Sequence, residues 1–169
     1  MGSTGVATWE EARAVRDRLA SKGKRLVFTN GCFDVLHVGH VRYLNEARSL
    51  GDALCVAINA DASVRALKGP QRPINNLDDR AEVLLGLRSV DLVVVFSAER
   101  ATGAIDAIAP HVYAKGGDYT PESLNVEERD ALDRVGAEIR ILQLVAGKST
   151  TETLAKLGHS KPRKRRLGI

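Results

Sequence analysis

Apolar residues recur along this chain with two alternating periods. Trp9, Ala12, Val15 and Leu19 follow a helical spacing behind Thr8 and Glu11, which stand at capping-box distance, so a first helix is expected to run to about Ser21. Residues 25–29 read as a strand, and Val41, Leu44, Ala47 and Leu50 mark one face of a helix ending at Gly51. The continuous apolar run 53–58 suits a strand of a parallel sheet covered on both faces. Asp61 caps a short helix to Leu67, after which Lys68-Gly69-Pro70-Gln71-Arg72-Pro73 breaks regular structure and predicts a mobile basic loop. Next come a helix from Asp78 or Asp79 to Leu87, a strand over 91–96, a helix over 101–108 closed by Pro110 and a short strand over 112–115. A helix over 125–135, a strand over 138–142 and a last helix over 150–157 complete the pattern. Strands followed by crossover helices predict an α/β fold, a Rossmann-like doubly wound parallel sheet with helices on both faces.

Composition adds scale. At 169 residues, 44% hydrophobic and 27% charged, the chain can build a core without disulfide staples. One domain over 1–160 is expected, with its core at about 25–157 and a basic tail over 161–169. The two cysteines, Cys32 and Cys55, fall in strand-like runs and are expected as reduced, buried thiols. No apolar run reaches the roughly 20 residues of a bilayer span, and no signal-peptide layout opens the chain, so a cytoplasmic setting without a membrane partner is expected. The net charge of +4 comes from Lys161, Arg163, Lys164, Arg165 and Arg166 in the tail. The remainder is close to neutral, which gives no reason to expect a nucleic-acid partner.

In doubly wound sheets ligands bind beyond the C-terminal strand ends. Polar clusters fall there at residues 30–40, 59–68, 115–119 and 147–151. In the first, His37-Val38-Gly39-His40 places two imidazoles where a strand stops and a helix begins. The unpaired N–H groups and positive dipole end of a helix start suit a phosphate. A zinc site from Cys32, His37 and His40 lacks the paired ligand spacing of structural zinc. Gly147-Lys148-Ser149-Thr150 resembles a P-loop end, but Leu142 stands where the loop's first glycine belongs, which leaves a hydroxyl-rich helix start.

Gly31-Cys32-Phe33-Asp34-Val35-Leu36-His37-Val38-Gly39-His40 resembles the Gly-x-Phe-Asp-x-x-His-x-Gly-His signature of cytidylyltransferase-like nucleotidyltransferases at every fixed position. Ser149-Thr150-Thr151 is similar to that family's later signature. Within the family, the blocks at 29–34, 59–65, 68–74 and 115–119 look most like the adenylyltransferases of ADP-heptose synthesis. Leu144-Val145-Ala146-Gly147-Lys148 replaces the Arg-Thr-Glu-Gly-Ile run usual in glycerol-phosphate and choline-phosphate cytidylyltransferases.

The resemblance implies AMP transfer from ATP to D-glycero-D-manno-heptose 1-phosphate, with a separate kinase supplying that acceptor, Mg²⁺ arriving on the ATP, and a homodimer. It assigns catalysis to His37, His40 and Lys68, the last reaching in from its loop. Nucleotide contacts are implied for Asn30, Gly31, Cys32, Phe33, His37, Gly39, His40, Lys115, Gly116, Ser149, Thr150 and Thr151. Substrate contacts are implied for Asp34, Asn59, Asp61, Lys68, Arg72 and Asp118, and no residue is assigned to a protein-held metal. Two alternatives stay open: a cytidylyltransferase or FMN adenylyltransferase with another small phosphorylated acceptor, and a nucleotide-binding regulatory module without catalysis.

Overall fold

The structure is a computed structural model that describes residues 5–117 and 120–143. The expected helix over 150–157 and the basic tail lie outside the described residues. Five strands, β1 (Leu26–Gly31), β2 (Ala53–Asn59), β3 (Leu92–Phe96), β4 (Val112–Gly116) and β5 (Glu138–Leu142), form one sheet in the order β3-β2-β1-β4-β5. Every pairing is parallel. Strand order therefore reverses between β1 and β4, which opens a crevice at their C-terminal ends.

The helices follow from the spacing of apolar residues and from caps. α1 (Trp9–Ala20) opens on the Thr8–Glu11 capping box, with bonds of 3.1 and 2.8 Å. α2 (Val38–Ser49) links β1 to β2, and α3 (Asp61–Lys68) and α4 (Leu77–Leu85) link β2 to β3. α5 (Thr102–Ile108) precedes β4, and α6 (Val126–Val135) precedes β5. Strand side chains alternate between the two faces, so β1 sends Leu26 and Phe28 to one core and Val27 to the other. The first core packs against Ala12 of α1, Ile105 of α5 and Leu132 of α6; the second packs against Leu44 of α2 and Leu84 of α4. β2 is buried throughout, as its unbroken apolar run requires. Each fully buried side chain of leucine size contributes roughly 1.5–3 kcal/mol by leaving water.

Several boundaries differ from the sequence pattern. Asp61 does not cap α3: Ala60 holds the N-cap position, no side chain caps it, and Asp61 lies in the first turn. β1 and β2 extend into polar residues because Asn30 and Gly31 pair with Ala57 and Ile58, and ladder hydrogen bonds are indifferent to side-chain polarity. α4 is capped by Asn76, whose Oδ1 accepts the Asp79 N–H at 2.9 Å; Asp78 and Asp79 occupy its first turn. Finally, the expected mobile basic loop is a strap over residues 69–76, bonded to the turn after β1. Lys68 closes α3 and does not belong to that strap. No helix of the described residues is long and apolar enough to cross a membrane.

Candidate active site

The crevice is shaped first by the turn that leaves β1. Phe33 adopts a left-handed backbone conformation with φ 46°, which folds its ring back toward the strand end. A Cβ on Gly31 would lie 3.0 Å from the Phe33 ring, so that glycine makes room for it. The ring centroid of Phe33 lies 5.6 Å from that of His40.

His37 caps α2 with its imidazole: Nδ1 accepts the Gly39 N–H at 3.1 Å. His40 reciprocates, its Nδ1 accepting the His37 N–H at 3.3 Å. A ring nitrogen that accepts cannot carry the proton, so a neutral imidazole in either place bears its hydrogen on Nε2. Burial pushes His40 down to about 4, helped by the positive fields of His37 and Lys68. At neutral pH His40 is therefore a neutral donor with a fixed tautomer.

A cleft of about 220 Å³ lies beyond these groups. Asn30, Gly31, Cys32, Phe33 and Asp34 line it from the end of β1, His40 and Tyr43 from α2, and Lys115 and Gly116 from β4. Lys68 and Arg72 close it from α3 and the strap. Three cationic side chains thus share a small space with a histidine donor, a setting for anionic oxygens. Arg72 donates Nε to Asp34 at 2.5 Å, while its Nη2 is buried with no hydrogen-bond partner among the described residues. Because Arg72 lines the cleft, that buried orphan donor marks a place for an acceptor. A larger hollow of about 530 Å³, by Val6, Glu11, Arg18 and Leu92, lies at the β3 edge away from these donors.

Several expected contacts take another form. The Asp34 carboxylate is 3% exposed and accepts from Arg72, from the Ile74 N–H at 2.8 Å and from the Asn75 N–H at 2.9 Å. Burial works to raise its pKa, but the Asn75 and Ile74 amides and the Arg72 guanidinium outweigh that and hold it below the usual carboxylate range. Both oxygens are committed to the strap, so Asp34 shapes the cleft instead of contacting a substrate. Asn59 is 4% exposed and turns inward, donating to Ser63 at 2.9 Å. Asp61 accepts from Arg80 at 2.7 Å. Cys32 is half-buried on the cleft wall rather than in the core; Cys55 is the fully buried thiol, and burial pushes it up to about 12. His37 and Gly39 shape the helix start behind the cleft lining, the His37 ring centroid 4.0 Å from that of His40. Asp118, Ser149, Thr150 and Thr151 lie outside the described residues.

The sequence reading missed four side chains. Tyr43 on α2 bonds Thr29 at 2.7 Å and the Ala114 carbonyl at 3.0 Å, which ties α2 to β1 and β4 under the cleft. Tyr113 donates to Asn30 Oδ1 at 2.7 Å, and buried Glu128 of α6 accepts from Asn30 Nδ2 at 3.4 Å. Arg80 of α4 is 1% exposed. It shares the Leu77–Leu84 face of its helix, and a charge on an apolar stripe was the available signal.

Residues 28–156 match the cytidylyltransferase-like family, and that span holds the β1 turn, the α2 start and the strap. The chain belongs to this family of nucleotidyltransferases. It is 51% identical over 152 residues to the bifunctional protein HldE of Aliarcobacter butzleri, covering 90% of this chain and 31% of that protein. It is 45% identical over 148 residues to HldE of Syntrophotalea carbinolica, covering 88% of this chain and 30% of that protein. The chain thus spans about a third of the length of these relatives. Among solved structures it resembles a lipopolysaccharide core biosynthesis protein from Thermoplasma volcanium, with TM-score 0.59 and 25% identity over 73% of this chain and 98% of that one. A pantothenate synthetase from Thermus thermophilus shares the fold, with TM-score 0.54 and 15% identity over 83% of this chain and 61% of that one. The Rossmann-like nucleotidyltransferase fold expected from the strand and helix pattern is the fold observed.

Proposed function

We propose that this chain transfers AMP from ATP to D-glycero-D-manno-heptose 1-phosphate, giving ADP-heptose and pyrophosphate for heptose-containing glycan precursors. The observation that carries the reading is the convergence of the neutral His40 donor with Lys68, Arg72 and Lys115 on one cleft at the β1–β4 crevice. The likeness to HldE proteins and to a lipopolysaccharide core biosynthesis protein supports the sugar class.

A sugar phosphate has a second pKa near 6 and is largely dianionic at neutral pH, so its oxygen attacks the α-phosphorus without a protein base. The oxygen–phosphorus bond to AMP forms as the bond to pyrophosphate breaks. The chain aligns two anions and neutralises the charge that builds on the α-phosphoryl oxygens and the leaving group. In this reading His40 donates to the α-phosphate from Nε2, and His37 caps the helix whose start faces the triphosphate. Lys68 and Arg72 hold the acceptor phosphate, with Arg72 Nη2 taking its missing partner there. Lys115, Gly116 and Asn30 complete the nucleotide side, joined by Ser149, Thr150 and Thr151; Asp118 is assigned to the acceptor. Mg²⁺ comes with the ATP, held by phosphate oxygens and water; no three His, Cys, Asp or Glu side chains gather as a metal cage among the described residues. A sugar kinase must supply the acceptor, and the enzyme is assigned to the cytoplasm as a homodimer.

Pyrophosphate release over a grid of nucleotides and phosphorylated acceptors tests the proposal. Turnover is expected with ATP and heptose 1-phosphate. Turnover only with CTP or FMN, or with no acceptor at all, would overturn it in favour of another transferase or a binding module.

A further inference from the structure

Arg80 is the largest fully buried side chain among the described residues, and the chemistry above gives it no contact with a reacting group. Its guanidinium donates Nη1 to the Cys32 carbonyl at 2.7 Å, Nη2 to the Asn59 carbonyl at 2.8 Å and Nε to the Asn75 carbonyl at 3.2 Å. Nη2 also meets the Asp61 carboxylate at 2.7 Å. These acceptors belong to three separate segments: the turn after β1, the end of β2 with the start of α3, and the root of the strap. The Cys32 and Asn75 carbonyls lie outside the sheet ladder and the Asn59 carbonyl at the last residue of β2, so the guanidinium supplies a donor where the strands run out.

We infer that Arg80 is a positioning residue that fixes the nucleotide-side turn and the acceptor-side strap at one separation, so that the cleft is assembled before either ligand enters. Its planar fork sets the directions of several donors at once, which a lysine ammonium or a water molecule does not. The strap end is held twice over. Arg80 takes the Asn75 carbonyl, and Asp34, in the same turn as Cys32, takes the Ile74 and Asn75 amides. A shift of about 1 Å between two reacting anions costs on the order of 10²-fold in rate, so this separation is a kinetic quantity. The identities of the two ligands rest on the proposed function; the positioning role does not.

Two substitutions in the full chain test it, Arg80→Lys and Asp61→Asn. Hydrogen exchange at the Ile74 and Asn75 amides reads strap docking directly. In Arg80→Lys these amides are expected to exchange about tenfold faster or more, with β2 and β3 amides unchanged, because local opening is released without global unfolding. At a temperature where the variant is fully folded, kcat for pyrophosphate release should fall by about 10²-fold. Should Arg80→Lys fail to fold, Asp61→Asn decides: it leaves the three carbonyl bonds and an acceptor for Nη2 but removes the charge that holds that edge of the guanidinium, and strap exchange should quicken about threefold. Wild-type strap exchange in a folded Arg80→Lys, or unchanged exchange in Asp61→Asn where Arg80→Lys cannot fold, would overturn the inference. A wild-type enzyme that releases no pyrophosphate would sink the proposed reaction while leaving the exchange result to stand by itself.

Discussion

The two walls of the cleft are built from the same kinds of residue and bonded very differently. On the strap side, Asp34 accepts at 2.5–2.9 Å from Arg72, Ile74 and Asn75. On the β4–α6 side, Glu128 accepts at 3.4 Å from Asn30 and from the Ala101 N–H, and lies 4.0 Å from the Lys115 ammonium. Both carboxylates are buried, at 3% and 5% exposure, so solvent does not explain the contrast. The difference teaches that the strap-side wall is set in advance, while on the opposite wall Tyr113 fixes Asn30 at 2.7 Å but the contacts of Glu128 keep slack that a ligand can take up. Preorganised donors give the larger rate effects, so chemistry should depend most on the tight side and adaptation to the bound ligand on the loose one.

Neutralising one carboxylate at a time separates the walls. Asp34→Asn is expected to have the largest effect. It leaves Arg72 without its charged partner and sets an amide NH₂ against backbone donors, and breaking such a buried pair costs about 3 kcal/mol or more. Denaturant unfolding measures that loss, and a cost below about 1 kcal/mol would show that the strap does not depend on Asp34. His40→Ala comes next, between the walls. Removing one preorganised donor should lower kcat by about 10²-fold with the fold retained. Near-wild-type turnover would remove His40 from the chemistry.

The pH dependence of stability carries a third, smaller signature of His40. The unfolded chain protonates this imidazole near its ordinary 6.5 and the folded chain only near 4. Between those values the unfolded state binds more protons, so stability rises with pH and is lost as pH falls from 6.5 toward 4. His111 contributes in the same direction, lowered by burial and by the fields of Arg16 and Arg25, so the slope has two sources. His40→Ala should flatten the slope in that window without abolishing it. An unchanged slope would mean that His40 is not desolvated.

Much of this molecule was legible in the residue pattern, for identifiable reasons. Thr8 and Glu11 announce α1, and the unbroken apolar run of β2 announces a covered parallel strand, because capping and burial leave local traces. The glycine and histidines at 31–40 likewise announced the site, since a helix start after a strand is local geometry. What sequence did not reveal depends on partners distant along the chain. Asp34 looked like a substrate ligand until Ile74 and Asn75, forty residues on, came to occupy it. Arg80 stands on the apolar face of α4, but its acceptors lie at Cys32, Asn59 and Asn75. Chain separation on that scale has no periodicity to read.

The smallest expected effect belongs to the loose wall and is the sharpest check on the comparison. Glu128→Gln keeps an acceptor for Asn30 and Ala101, so it removes only the charge that faces Lys115 at 4.0 Å. Bonds of that length contribute little, and stability should change by about 1 kcal/mol or less. Lys115, held less firmly, should then reach further toward a bound anion, so the KM of one substrate should shift by a few-fold while kcat stays near wild type. A stability loss matching that of Asp34→Asn would make the two walls equivalent and erase the distinction, whereas a selective KM effect assigns ligand adaptation to the β4–α6 side.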